Sequence, residues 1–165
     1  YSVEGLKIWA GGKAQKFYLS SAAPDGSVPS DRTFNDVSGE VGASFSSGPF
    51  GFLANVQYGK GIGILSDGDQ GATKGFNYLV QGSYKLTDKL KFGLNYGKSQ
   101  NKDNDFYNDL YNLSFKSNDN VTGGLYYQLT KSVTLAAELV KLQSKDYLGN
   151  TAKQYGGDIG GIIFF

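Results

Sequence analysis

The chain has 165 residues, a net charge of +1 and a mean hydropathy of −0.34, enough for one domain and without a run of the ~20 apolar residues that a membrane helix needs. It holds no cysteine and no histidine, which removes disulfide frameworks, thiolate metal sites and the commonest catalytic base. The near-neutral balance, with no run of Lys and Arg, gives no footprint for a nucleic-acid partner.

Glycine, tyrosine and phenylalanine are abundant, and turn signals recur every ten to fifteen residues or roughly so, which points to an all-β chain. Tyr1 opens directly on strand-like sequence, as it would after removal of a signal peptide or within a longer chain. Leu6, Ile8 and Ala10 alternate with Lys7, Trp9 and Gly11, which reads as a strand that Lys13 to Ser20 extend past a kink at Gly11-Gly12. Ser21 to Arg32, with Pro24, Asp25-Gly26 and Pro29, reads as a loop. Val37, Gly39, Val41, Ala43 and Phe45 form an apolar row against Ser38, Glu40, Gly42 and Ser44. Ser46-Ser47-Gly48 makes a tight turn, and Phe50, Phe52, Ala54, Val56 and Tyr58 carry the row back. Gly59 to Lys74, rich in Gly and Asp, is expected to be a solvated loop.

The strongest hairpin signal follows. Phe76, Tyr78, Val80, Gly82, Tyr84 and Leu86 alternate with polar residues. After Thr87-Asp88-Lys89 the row resumes at Leu90, Phe92, Leu94 and Tyr96. The unit recurs: the stretch from Tyr84 to Phe92 aligns with that from Tyr127 to Leu135, so Leu129, Val133, Leu135, Ala137 and Leu139 repeat the row. Ser99 to Asn120 is crowded with Asn, Asp and Ser around Tyr111, Leu113 and Phe115. An extra spanning strand there would put the two Leu-Thr turns on opposite sides of a membrane, so the stretch reads as a long outer loop with at most short extensions of its neighbours. Lys145 to Asn150 is the last outer connection, and the final strand runs from Tyr155 to Phe165. The total is about eight spanning strands within one domain, 1–165.

Period two places these rows on opposite faces. The apolar rows as assigned contain no Lys, Arg, Asp or Glu, whereas Lys7, Glu40, Lys85, Lys91, Glu138 and Asp158 fall on the polar rows. A soluble sandwich would also keep charge off its inner face. The aromatics separate the two cases: Phe45, Phe50, Tyr84, Phe92, Tyr127 and Phe165 collect near one end, and Tyr58, Tyr78, Tyr96 and Tyr155 near the other. Two aromatic girdles around an aliphatic band are what a membrane interface selects. The predicted fold is a transmembrane antiparallel up-and-down β-barrel, with the six charges facing the lumen. Polar rows dominated by Gly42, Ser38, Ser44, Gly51, Asn55, Gly93, Asn95, Gly97, Gly124, Gly156 and Gly160 suit the wall of a wide, wet barrel, since small residues fill a closed eight-stranded one poorly.

Two resemblances sharpen this. The ending Asp158-x-Gly160-x-x-Ile163-x-Phe165 resembles the C-terminal signature that the assembly machinery of bacterial outer membranes reads, with Ile163 where an aromatic is more usual. The Leu-Thr turns, the sequence from Asn120 to Phe165 and the terminal Gly-Gly-Ile-Ile-Phe-Phe resemble the C-terminal half of a general diffusion porin, a family of sixteen-stranded, usually trimeric barrels. The resemblance implies a bacterial outer-membrane location and passive diffusion of small hydrophilic solutes or ions. Its implied partners are membrane lipids and lipopolysaccharide, the assembly machinery and two further copies in a homotrimer. The alternative is a small eight-stranded barrel with a plugged interior, structural or adhesive through its loops. Without histidine the Ser/His and Asp/His sets of outer-membrane hydrolases are absent, so no catalytic residue is expected. Asp67-Gly68-Asp69 and Asn101 to Asp105 lack the spacing of a calcium loop, so neither metal nor cofactor is expected.

Overall fold

The computed structural model describes residues 1–19, 32–65, 72–102 and 115–164. Its strands are β1 (Ser2–Val3), β2 (Leu6–Leu19), β3 (Arg32–Ser47), β4 (Phe50–Lys60), β5 (Lys74–Lys85), β6 (Leu90–Asn101), β7 (Phe115–Gln128), β8 (Val133–Asp146) and β9 (Thr151–Ile163). They form one sheet in sequence order, every neighbour antiparallel. This is the all-β, up-and-down architecture that the alternating rows require, with eight long strands after the two-residue β1.

The strands outrun their apolar rows, and several sequence expectations change. Gly11-Gly12 is not a kink: both residues sit in unbroken pairing with Glu40 and Gly39. Ser46 and Ser47 pair with Gly51 and Phe50, so the turn falls on Gly48 and Pro49, where Gly48 takes a φ of 54° that a side chain would disfavour. Leu86 lies in the β5–β6 turn, not the strand. Lys145 and Asp146 close β8 instead of opening a loop, and β9 begins four residues before Tyr155. Within 99–120, β6 reaches Asn101 and β7 begins at Phe115, so the neighbours do extend into it; Tyr111 and Leu113 lie outside the described residues. The proposed 21–32 loop also lies outside them, except that Arg32 opens β3.

The two Leu-Thr turns are built alike. Leu86 and Thr87 donate backbone N–H to the Leu90 carbonyl, as Leu129 and Thr130 do to that of Val133. The Thr87 hydroxyl accepts from the Lys89 and Leu90 amides at 3.2 and 3.0 Å, and that of Thr130 accepts from Ser132 at 3.2 Å. Threonine thus supplies the acceptor that the tight backbone lacks.

Pairing also fixes the tilt. Followed across the sheet, the partners of Leu6 run Phe45, Phe52, Gly82, Leu94, Gly123, Leu139 and Gly157. Gly157 lies six residues short of Ile163, the end of β9, so the short-turn edge drops by six residues over seven strand steps. At about 3.3 Å per residue and about 4.8 Å per step this stagger equals a tilt of roughly 30°, close to the 35–45° that strands adopt around barrels.

No second layer among the described residues covers the sheet. Among the described residues the buried hydrophobic side chains are Phe34, Ile62 and Ile64, while Leu139, Tyr155 and Ile159 are 75%, 70% and 92% exposed. A sandwich would cover that face; a soluble protein seldom leaves so continuous an apolar surface bare. The less exposed row is the polar one: along β4, the residues facing Phe50, Phe52, Val56 and Tyr58 across the strand are the half-buried set. The sheet therefore curls toward its polar side.

The connection after β4 departs from the solvated loop expected of its composition. Gly61, Ile62, Gly63 and Ile64 are buried, folded onto the polar face. The Gly61 amide donates to the Thr73 carbonyl at 2.9 Å. A Cβ on Gly75 would stand 2.6 Å from Ile62. Two isoleucines shed water there, and glycine at 61 and 63 supplies φ values of 84° and 66°.

Candidate functional site

The polar face of β2 to β9 is built by the residues that alternate with the apolar rows, and pairing shows which meet. Lys85 is directly opposite Lys91, and Lys91 is opposite Tyr126. The Lys91 ammonium lies 5.2 Å from the Tyr126 ring centre, and the Tyr126 hydroxyl donates to Glu138 Oε1. Glu138 in turn faces Asp158. Four of the six charged candidates, Lys85, Lys91, Glu138 and Asp158, thus form one continuous arrangement near the short-turn end, cationic on β5–β6 and anionic on β8–β9. Like charges placed directly opposite each other are unfavourable in a sheet, so each pair needs the water or counter-charge that an open surface supplies. Lys7 stands apart opposite Ser44, and Glu40 lies between Gly11 and Gln57.

Nearer the loop end the face turns to neutral amides and hydroxyls. Asn77 donates to Gln57 Oε1 and Gln57 to Ser38 Oγ, both at 3.4 Å, and Ser144 donates to Asn118 Oδ1 at 2.8 Å. Asn55, Gln57, Asn77, Ser99, Asn118 and Asn120 line a recess of about 300 Å³. Above it Lys13 pairs with the fully buried Asp36 at 2.8 Å, and Phe17 stacks on Phe34 with ring centres 5.2 Å apart.

Tyr126 and Trp9 were missing from the sequence candidates. A Cβ on Gly42 would stand 2.2 Å from the Trp9 ring, and one on Gly93 3.0 Å from Tyr126. Some wall glycines are therefore seats for large rings lying flat, while Gly160 has nothing within 4 Å of such a Cβ. The repeated hairpins could not have signalled Tyr126: they join β5 to β6 and β7 to β8, whereas Lys91 meets Tyr126 across β6 and β7.

The aromatic candidates lie on the other face. Phe50, Tyr84 and Phe92 share one row of partners beside the short turns, with Phe50 and Tyr84 rings 4.9 Å apart. Phe45 pairs with Phe52, and Tyr127 with Leu90. At the loop end Tyr58 pairs with Phe76, Tyr78 and Tyr96 rings are 5.8 Å apart, and Tyr155 faces Lys141. Of the terminal signature, Gly160 and Ile163 lie in β9 with Asp158; Phe165 is outside the described residues. Among the described residues no His, Cys, Asp and Glu group is placed to hold a metal. Asn101 closes β6 and donates its amide to the Phe115 carbonyl at 2.8 Å.

A one-layer, tilted, up-and-down sheet with a bare apolar outside and a charged, curled-in polar side defines an outer-membrane β-barrel. The sequence matches the Gram-negative porin family over residues 4–147, and the chain belongs to that family. The outer-membrane channel DcaP of Acinetobacter baumannii is similar in structure, with a TM-score of 0.66 and 20% identity over 99% of this chain and 55% of that one. This chain spans about half the length of that channel. Neisserial surface protein A aligns with a TM-score of 0.35 and 16% identity over 98% of both chains. No curated protein matches the chain. Family and fold place it in the bacterial outer membrane.

Proposed function

We propose that this chain supplies about half the wall of a wide, water-filled pore through which small hydrophilic solutes and ions diffuse passively. The supporting observation is the curl toward a polar face that carries exposed Lys7, Lys85, Lys91, Glu40 and Asp158. A pore of this kind needs no chemistry, since it selects by diameter and by charged side chains on its lining. Three candidate lining cations, Lys7, Lys85 and Lys91, are balanced in number by three anions, Glu40, Glu138 and Asp158, so net ion preference is weak although the two signs occupy different strands. The chain covers 55% of the DcaP channel, which fits a barrel with roughly twice these strands. The usual trimer of the resembled porins and recognition of the C-terminus by the assembly machinery belong to the same proposal.

The intact native protein in a planar bilayer gives stable conductance steps, and Lys91→Glu shifts selectivity toward cations. A silent bilayer favours the second reading, a small plugged barrel. That reading draws on Phe17, Phe34, Ile62 and Ile64, which bring apolar bulk onto the polar face. The mass of the mature protein separates the two independently, about twice 17.8 kDa for the larger barrel.

A further inference from the structure

Two adjacent levels of the inward face carry no charge across four strands. At the first, Gln57, Asn77, Ser99 and Asn118 are successive partners on β4 to β7. Two residues nearer the short turns, Asn55, Leu79, Gly97 and Asn120 are partnered in the same way. At about 4.8 Å between strands and about 3.3 Å per residue, the two levels cover roughly 14 by 7 Å, the footprint of a mono- or disaccharide. Together they wall the recess of about 300 Å³, a volume at the lower end of small-molecule sites. Tyr78 and Lys98 also border it, but they stand on the outward rows, whose side chains period two turns to the far side of the sheet.

The recess is amphipathic. Leu79 is 36% exposed, an apolar residue on an inward row that otherwise carries Asn77, Gln81, Ser83 and Lys85. A Cβ on Gly97 would stand 3.6 Å from Leu79 Cδ1 and 3.3 Å from Asn120 Oδ1, so both side chains lean over bare glycine backbone. Asn77 donates to Gln57, yet its own Oδ1 is buried without a hydrogen-bond partner among the described residues. A buried acceptor left unsatisfied is unfavourable, so the position calls for a donor. Glu40, the charge opposite Gln57, leans away over Gly11, where a Cβ would stand 3.2 Å from its Oε1. On the loop side Ile62 lies against Gly75, two residues from Asn77 on the same row.

Each side-chain amide offers an NH₂ donor and a carbonyl acceptor, and each hydroxyl serves in both senses. Such a wall satisfies a neutral hydroxyl whichever way it turns. An anion or a cation would instead leave water for a surface that holds no counter-charge. Leu79 matches the C–H face of a sugar ring.

We propose that this recess is a lumen subsite for neutral polyhydroxylated solutes, unphosphorylated sugars. Asn77 Oδ1 accepts from one solute hydroxyl, Gln57, Asn118 and Asn120 bond to others, and Leu79 packs beneath the ring. The inference narrows the pore reading, on which it rests for the solute's route, while binding is measured apart from conduction.

Saturation-transfer NMR of the intact native protein, in a polyoxyethylene detergent that carries no sugar, tests it with glucose and sucrose against succinate and putrescine. Wild type and the control Gln154→Leu, which removes an amide from the inward row of β9, bind both sugars and prefer them to either charged probe. Asn77→Leu/Asn120→Leu weakens sugar binding by roughly tenfold or more. Gly97→Leu, which fills the floor and keeps the amides, weakens it as well. Heat-resistant migration on gels reports that each variant is folded. Equal sugar binding by the double variant, an equal loss in Gln154→Leu, or succinate or putrescine bound as tightly as glucose overturns the subsite. The same samples go into planar bilayers, where sucrose lowers the ion conductance of wild type and not that of the double variant. A silent bilayer from protein that still selects sugars sinks the pore reading and leaves the subsite standing; a conducting protein without sugar preference does the reverse.

Discussion

The outward and inward faces of the same eight strands obey opposite rules, although they alternate residue by residue. Outward, Ala54, Val80 and Leu94 sit between aromatics, and charges appear only from the level of the upper girdle onward, where Lys98 is opposite Tyr78 and Lys141 opposite Tyr155. Inward, Lys85 faces Lys91 and Glu138 faces Asp158 within the same span. A row tolerates like-charge neighbours only where water reaches it, and excludes single charges only where it does not. The contrast therefore identifies two solvents, and the sheet is the partition between them.

The contrast is broken most severely by moving a charge across the partition. Val80→Arg, between Tyr78 and Gly82 on the outward row, is expected to cost about 2–4 kcal/mol of stability in lipid vesicles, measured by urea unfolding. Gln81→Arg, one residue along and facing inward, should leave that unfolding midpoint nearly unchanged.

Smaller effects sharpen the picture within the inward face. Gly42→Leu drives a side chain into the Trp9 ring, which a Cβ alone would approach to 2.2 Å. Overpacking of this kind costs about 1–3 kcal/mol. Gly160→Ala, with open space above it, should be neutral or slightly stabilising in the same assay. Smallest are the turns. Thr87→Val removes an acceptor of two backbone hydrogen bonds and Thr130→Val an acceptor of one, so losses of about 1 kcal/mol are expected at Thr87 and less at Thr130.

The two faces and the hairpins were legible in the sequence because period two survives wherever one side meets lipid and the other water. Strand ends were not. Beyond Lys98, Lys141 and Lys153 both faces meet water, so the alternation fades while pairing continues, and β3, β7 and β9 start well before their apolar rows. Ile62 and Ile64 were invisible for a different reason: two isoleucines spaced by glycine carry no strand signal, and their place against the wall exists only because Gly75 has no side chain to meet Ile62. Parity puts the charged candidates on the polar rows, but their grouping around Tyr126 depends on the offset between β6, β7 and β8, which alternation within a single strand does not contain.

The partition itself is most directly measured by cysteine scanning, because the native chain contains no cysteine. Single cysteines placed from Phe92 to Gly97 along β6, in outer membranes, are exposed to a charged, water-soluble maleimide and separately to a lipid-dissolved quencher of an attached fluorophore. The account requires a strict two-residue alternation, with positions 93, 95 and 97 labelled from water and positions 92, 94 and 96 quenched from lipid. Uniform labelling along the strand, or quenching on the polar row, would contradict it.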